Sequence, residues 1–387
     1  MSAIDIVLKR LREYSIEVLP DITVRFVDRD YEVENVLEKK VFTPGWITVL
    51  YGPKGCGKST LFNALKYAIK DFDINLDIIV VSSEREAWRA EKIYVPKKLK
   101  GVLEDIRSLL KFSYNPIKGD IIGFVDITKL IGLLVGHIAH SFKEARDVLV
   151  VLDEVKADSD TRLAEFRGWI ESMANDLLVD NTEYRRRGGS IAVIALTSDA
   201  LVAKIRYVIG SKVEWNLMWN LPRSALENLA DQLKLREDKE LLWKLTGGNP
   251  RALISIKREG LREWIMNEVV ETIRLTFDIE ARNDPENLWK VFLAISENPD
   301  ELPELSSVKG LYEDDRWRDK AFKTNIFIYI GGLSTDNTIS RLPKEPWIGK
   351  YYAFQIPAYM YAVRVMARKR TLKITPYDII NEITNHI

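Results

Sequence analysis

The residues from Trp46 to Leu65 constrain this chain more than any other stretch. Trp46-Ile47-Thr48-Val49-Leu50-Tyr51 is an apolar run with the length and β-branched content of a buried strand. It leads straight into Gly52-Pro53-Lys54-Gly55-Cys56-Gly57-Lys58-Ser59-Thr60, which fits G-x-x-x-x-G-K-[ST] at every position. Leu61, Leu65 and Ala68 then recur on one face, so a helix follows at once. Strand, glycine loop and helix in that order are the context that gives this motif its meaning. The glycines let backbone N–H groups curl around a β-phosphate, and the helix N-terminus adds its dipole to the same anion site. Lys58 would reach the β- and γ-phosphates, and the Ser59 hydroxyl would sit on Mg²⁺. The expectation is a nucleoside triphosphate site.

A second motif has the same logic. Val148-Leu149-Val150-Val151-Leu152 is a strand buried on both faces, as in a parallel sheet, and it ends in Asp153-Glu154. Carboxylates at such a C-terminal end lie where open α/β sheets take their ligands. Asp153 suits the metal shell, and Glu154 suits a general base that orients and deprotonates water. Leu76-Asp77-Ile78-Ile79-Val80-Val81, Ile191-Ala192-Val193-Ile194-Ala195-Leu196 and Val213-Glu214-Trp215-Asn216-Leu217 read as further core strands. Together these predict an α/β fold with a parallel αβα P-loop NTPase core.

Composition narrows the remaining classes. Among 387 residues, 57 positive side chains balance 57 negative ones, so no global field favours nucleic acid. Cys56 is the only cysteine, which excludes an internal disulfide and makes a thiolate zinc site untenable. The apolar stretch Leu130 to Ala139 is too short to span a bilayer, and the N-terminal charges Asp5, Lys9, Arg10 and Arg12 do not suit a signal peptide. The expected location is the cytoplasm, away from membranes. His137 and His140 lie three apart without a partnering ligand at matching spacing, which reads as structural. The segment from Ser82 to Ala145 is charged and mostly helical in pattern, with a lysine cluster at Lys97, Lys98 and Lys100 that reads as a solvated face. Glutamine occurs only at Gln232 and Gln355.

Phe26, Val27, Asp28, Arg29 and Glu32, followed by a helix, a strand and Gly52 to Thr60, form a pattern that resembles the archaeal ATPase family. That family sits beside the STAND and origin-recognition branches of the AAA+ class. The resemblance runs from about Phe26 to Leu253 and implies ATP as the nucleotide. It implies that Val27 and Arg29 lie against the base or ribose; Arg29 reads equally as a surface charge at a helix start. It implies a polar sensor at Thr197, with Ser198 as the alternative, and an arginine finger at Arg206, just after Lys204, acting on a neighbouring copy. Arg206 also fits an ordinary surface arginine. Gly247-Gly248-Asn249-Pro250 is a helix-stop, turn, helix-start signal. By resemblance it lies in a helical lid, with Pro250 near the base and Arg251 near the phosphates.

The rest of the chain is less specific. An amphipathic helix is expected over Ile4 to Leu19, and another helix from Thr161 to Leu178. Helix Asn287 to Ser296, strands Ile326 to Ile330 and Tyr351 to Phe354, and helix Ala358 to Lys369 suggest a winged-helix-like ending, with Pro376 breaking the chain into a short tail. Arg364, Arg368, Lys369 and Arg370 read either as cations opposing a helix dipole or as a nucleic-acid footprint. The expected domains are 1–220 (ATPase core), 221–280 (lid) and 281–387 (winged-helix-like). Two functions follow: an ATP-driven switch or motor acting on double-stranded DNA, or a regulatory ATPase whose C-terminal domain binds a protein. Either would suit a homo-oligomer if Arg206 acts between copies. A kinase on the same loop is disfavoured, because Glu154 beside Asp153 fits water activation.

Overall fold

The computed structural model describes residues 3–37, 45–70, 74–82, 89–96, 120–141, 146–155, 160–198, 212–302, 320–331 and 342–385, with residues 72, 99, 101 and 113–115 between them. Lys204 and Arg206, and Lys97, Lys98 and Lys100, lie outside the described residues. The chain divides into two compact units. One comprises Met1–Leu11, Asp30–Tyr51 and Lys58–Leu217, and the other Arg12–Arg29, Gly52–Gly57 and Met218–Ile387.

The first unit is built on an eight-stranded sheet. Its strands are β3 (Ile47–Tyr51), β4 (Leu76–Ser82), β5 (Arg89–Tyr94), β6 (Ser113–Asn115), β7 (Asp120–Asp126), β8 (Asp147–Asp153), β9 (Ser190–Thr197) and β10 (Val213–Leu217), in the order β10-β3-β9-β8-β4-β5-β7-β6. β10, β3, β9, β8 and β4 run parallel. Every residue of β3 and β9 is buried, as their continuous apolar sequences require of strands covered on both faces. Helix Ala3–Leu11 packs on helix Lys58–Ile69, and helix Ile127–Ser141 on helix Asp160–Arg186. Leu130, Ile131, Leu134, Val135 and Ile138 of Ile127–Ser141 are buried, so the longest apolar stretch of the chain is a core helix. The Asn181 amide receives the Ile191 N–H at 2.7 Å and donates to its carbonyl at 2.6 Å, tying the long helix to β9.

The core sheet is mixed, not wholly parallel, because the stretch expected to be helical supplies three antiparallel strands, β5, β7 and β6. Ile121-Ile122 and Phe124-Val125 make β7 strand-forming, and runs this short carry no decisive helical or strand period. The helix expected to end at Leu178 continues to Arg186 and stops ahead of Gly188, which has φ 93°.

The second unit contains a hairpin that replaces the end of the expected N-terminal helix. That helix stops at Leu11, and β1 (Ser15–Leu19) pairs antiparallel with β2 (Ile22–Arg25). Asp21, at φ 62°, makes the turn, and Ile16, Val18 and Ile22 are β-branched, which overrides the weak helical spacing. Helices Arg223–Gln232, Lys239–Thr246 and Pro250–Glu259 follow. Leu261–Trp264 then runs through a π-helical turn, Ile265–Val270, into Glu271–Asn283. Helix Pro285–Glu297 packs against Pro357–Lys369, and Phe277 meets Phe292 edge-on at 5.2 Å. β11 (Phe327–Tyr329) and β12 (Tyr352–Phe354) form an antiparallel pair, with Phe327 and Phe354 ring centroids 4.0 Å apart. The expected tail after Pro376 is instead a helix, Pro376–Thr384. Proline stands at its first turn, where its missing N–H costs nothing, and Thr375 and Asp378 close a capping box.

Candidate functional site

The candidate residues fall in both units. In the first, β9 lies between β3 and β8. Thr197 ends β9 opposite Tyr51 of β3 and is 1% exposed, and Ser198 after it is half-buried. Lys58, 7% exposed, opens the helix Lys58–Ile69, with Ser59 and Thr60 in its first turn. The Ser59 hydroxyl donates to Asp153 Oδ1 at 2.7 Å, across 94 residues of sequence. The same carboxylate oxygen accepts the Glu154 N–H at 3.0 Å. A hydroxyl and a carboxylate in contact are a hard-oxygen donor set of the kind Mg²⁺ takes.

Glu154 is exposed and holds φ 60°. A left-handed conformation at a non-glycine residue is sustained only where neighbours impose it, and such residues gather at functional sites. Here the constraint is visible: Val155 N–H bonds to the Leu196 carbonyl at 3.0 Å, turning the chain sharply after β8. The turn exposes the Glu154 side chain at the end of a strand that is otherwise buried.

In the second unit, Gly55 and Gly57 of the loop Gly52–Gly57 take φ 83° and 101°. A Cβ on Gly52 would lie 2.0 Å from the Met218 carbonyl oxygen, so only glycine fits there. Cys56 is buried; its N–H closes a turn on the Pro53 carbonyl at 3.1 Å and its thiol donates to the Met218 carbonyl at 3.5 Å. Lys54 is exposed.

Arg29 is no surface charge: it is 2% exposed, and its Nη2 donates to the Cys56 carbonyl at 2.6 Å. Asp28 and Arg29 hold φ 56° and 73°, and Arg12 donates to the Asp28 carbonyl at 2.9 Å. Two consecutive left-handed residues thus aim a guanidinium at the glycine loop, while Val27 is half-buried beside them.

The Gly-Gly-Asn-Pro turn also converges on the loop. Gly247 ends helix Lys239–Thr246 at φ 55°, Asn249 caps the next helix by accepting the Ala252 N–H at 3.1 Å, and Pro250 is its first residue. Arg251 N–H reaches the Gly55 carbonyl at 3.4 Å. Lys54, Arg251, Ser255, Glu268, Asn325 and Tyr359 are among the residues around a cavity of about 160 Å³. Burial pushes the Tyr359 phenol far above its ordinary value, so it stays a neutral hydrogen-bonding group. Sequence reasoning assigned no site role to Asn220, Asn249 or Gln355, which bond within this set.

His140 sits 3.3 Å from Asp180 and 3.5 Å from Glu183, both on the neighbouring helix. Among the described residues no group of three or more His, Cys, Asp or Glu side chains could by itself hold a metal ion, and no helix is long and apolar enough to cross a membrane.

A family model described as an ATPase domain predominantly from Archaea matches residues 26–256. The chain is 25% identical over 296 residues to an uncharacterized ATP-binding protein of Pyrococcus horikoshii, covering 73% of this chain and 88% of that protein. Two uncharacterized ATP-binding proteins of Methanocaldococcus jannaschii are 22% and 23% identical, over 75% and 80% of this chain and 88% and 92% of their own lengths.

Proposed function

From the premise that this chain belongs to the archaeal ATPase family, we propose that it binds ATP with Mg²⁺ and hydrolyses it to ADP and phosphate. The observation that carries the reading is the 2.7 Å contact between Ser59 and Asp153. It joins the two motifs that the chemistry needs side by side. The names of the three relatives, each an ATP-binding protein, support the choice of nucleotide.

In this reading the backbone N–H groups of Gly52 to Thr60 cradle the phosphates, and Lys58 supplies the cation at the β- and γ-phosphates. Ser59 and Asp153 hold Mg²⁺, which when bound offsets negative charge on the phosphate oxygens. Glu154 orients a water and takes its proton. Thr197 contributes a hydroxyl between the two motif strands. Arg251 neutralises phosphate charge from the lid, Pro250 and Val27 flank the base, and Arg29 braces the loop through Cys56. Arg206 remains a candidate arginine finger acting between copies in a homo-oligomer.

Glu154→Gln tests the reading. The amide keeps the shape and removes the base, so ATP binding persists and turnover falls by about 10² or more. Wild-type turnover in this variant would contradict the assignment.

For the C-terminal part we retain the division into 1–220, 221–280 and 281–387, with a lid and a winged-helix-like end. One observation weighs against a DNA-binding face at the end of helix Pro357–Lys369 and so against a DNA motor. Arg364 and Arg368 pair with Glu382, Lys369 with Asp378 and Arg370 with Glu286. Three carboxylates thus answer the four cations that could have formed a phosphate-binding face. Hydrolysis measured with and without duplex DNA over a salt series separates the readings, since phosphate contacts are steeply salt-dependent.

A further inference from the structure

The chain's two glutamines each bond to the backbone of a distant segment. Gln232 accepts the Arg25 N–H at 2.7 Å. Gln355 is the more consequential. It lies one residue beyond β12, is 3% exposed, and its Oε1 accepts the Lys54 N–H of the glycine loop at 2.8 Å, 301 residues away. Its Nε2 donates to Asn325 Oδ1 at 3.2 Å and to the Phe327 carbonyl at 3.3 Å. Chemistry fixes this orientation. Flipping the amide would set NH₂ against the Lys54 N–H and a carbonyl against the Phe327 carbonyl, two repulsive contacts for two bonds.

The other side of Lys54 is held too. Its carbonyl accepts Asn249 Nδ2 at 3.0 Å, and the same nitrogen reaches Asn220 Oδ1 at 3.0 Å. Asn220 Nδ2 donates to the Gln355 carbonyl at 2.9 Å, which closes a ring of buried amides around Lys54. Asn220 and Asn249 are 4% and 3% exposed, so water does not compete for these bonds. Asn325 stands at φ 59°, a left-handed turn residue whose amide faces Gln355.

We propose that Gln355 is a positioning residue for the phosphate loop: it clamps the Lys54 peptide, so that the β11–β12 hairpin sets the loop's conformation and its affinity for nucleotide. The inference rests on the ATP-binding reading for its functional half. Its physical basis is the loop's own freedom. Gly55 and Gly57 sit at φ 83° and 101°, and a glycine-rich loop gives up much conformational entropy when it is ordered. A clamp that has already ordered it leaves less to be lost when phosphate binds. Linkage makes the coupling reciprocal, so bound nucleotide favours the docked hairpin, and a partner that displaces the hairpin weakens nucleotide binding.

Residue-resolved amide hydrogen exchange on the full chain, without nucleotide, tests the clamp directly. In the wild type the Lys54 N–H is protected. Gln355→Met, similar in size but without the amide, speeds its exchange about tenfold or more, while the Ala252 N–H held by Asn249 stays slow. ATP binding by the same proteins tests the consequence: Gln355→Met raises Kd and KM about tenfold and changes kcat much less. Unchanged Lys54 exchange in Gln355→Met would overturn the clamp. Lost protection with unchanged Kd and KM would overturn its control of the loop. A wild type that binds no ATP would instead defeat the functional reading, and the exchange result would still judge the clamp. If Gln355→Met fails to fold, Asn325→Gly replaces it: glycine keeps the left-handed backbone and removes one anchor of the Gln355 amide, with the same directions expected.

Discussion

The two units hold their candidate residues by different means. In the first, position follows mainly from strand register, with Glu154 alone among its described candidate residues turned by left-handed backbone at φ 60°. β8 and β9 are buried almost throughout, and their ends put Asp153, Glu154 and Thr197 where apolar sequence gives way to polar. In the second, position follows from polar side chains and left-handed backbone. Arg29 reaches Cys56, Asn249 and Gln355 reach Lys54, and Asp28, Arg29, Gly55 and Gly57 all hold positive φ. Strand ends tolerate many neighbours, because the sheet itself sets the geometry. Clamps depend on single atoms. The second unit should therefore respond to small polar or steric changes that the first absorbs.

The largest effect expected is on the ligand. Lys58→Ala removes the cation we propose for the phosphate site and leaves the buried strands of the first unit intact. At about 100 Kd of ATP the wild type gains roughly 2.7 kcal/mol of stability. The variant should gain almost nothing in the same thermal-shift series, while its ligand-free midpoint stays near that of the wild type. An equal ATP-induced shift would sink the lysine's role.

Smaller, and aimed at the contrast itself, is a pair of glycine replacements. Gly55→Ala strains a residue at φ 83° and drives its Cβ to 2.4 Å from Arg251 Cβ, so unfolding free energy should fall by about 1–3 kcal/mol. Gly132→Ala, within helix Ile127–Ser141, meets only Met173 Cε at 3.9 Å and should raise stability by about 0.5–1 kcal/mol. Urea midpoints read both. If the two replacements moved stability alike, the contrast between a register-held and a clamp-held unit would fail.

The smallest effect is one of pH. Burial alone would raise the Asp378 pKa, but hydrogen bonds from Lys369 and Thr375 win and hold it below the model-peptide value of 3.8. Its contribution is therefore complete above that value and is lost as pH falls through the lowered folded value. The helix Pro376–Thr384 should loosen below about pH 4, and Asp378→Asn should flatten that step in the thermal midpoint. A step of unchanged size in the variant would assign the acid sensitivity elsewhere.

What sequence made legible follows the same division. The strands β3, β4, β8, β9 and β10 were readable because continuous apolar runs leave a buried strand little alternative, and Asp153 and Glu154 were readable as their termini. The antiparallel strands β5 and β7 were not, since segments this short have no dominant period and pair through partners distant in sequence. Pro376 was misread because proline both ends and begins helices; the Thr375-to-Asp378 spacing was the available clue. Arg29 was ambiguous because its burial depends on Cys56, 27 residues on. Gln355 carried no motif at all; only the chain's shortage of glutamine set it apart.

The central claim is that Ser59 and Asp153 form the metal-dependent part of an ATP site, and titration calorimetry tests it most directly. ATP is titrated into wild type and Asp153→Asn, with Mg²⁺ and with chelator. The wild type should bind ATP at least tenfold more tightly with Mg²⁺, and Asp153→Asn should lose that increment while keeping the weaker Mg²⁺-free binding. An increment of equal size in both proteins would contradict the account.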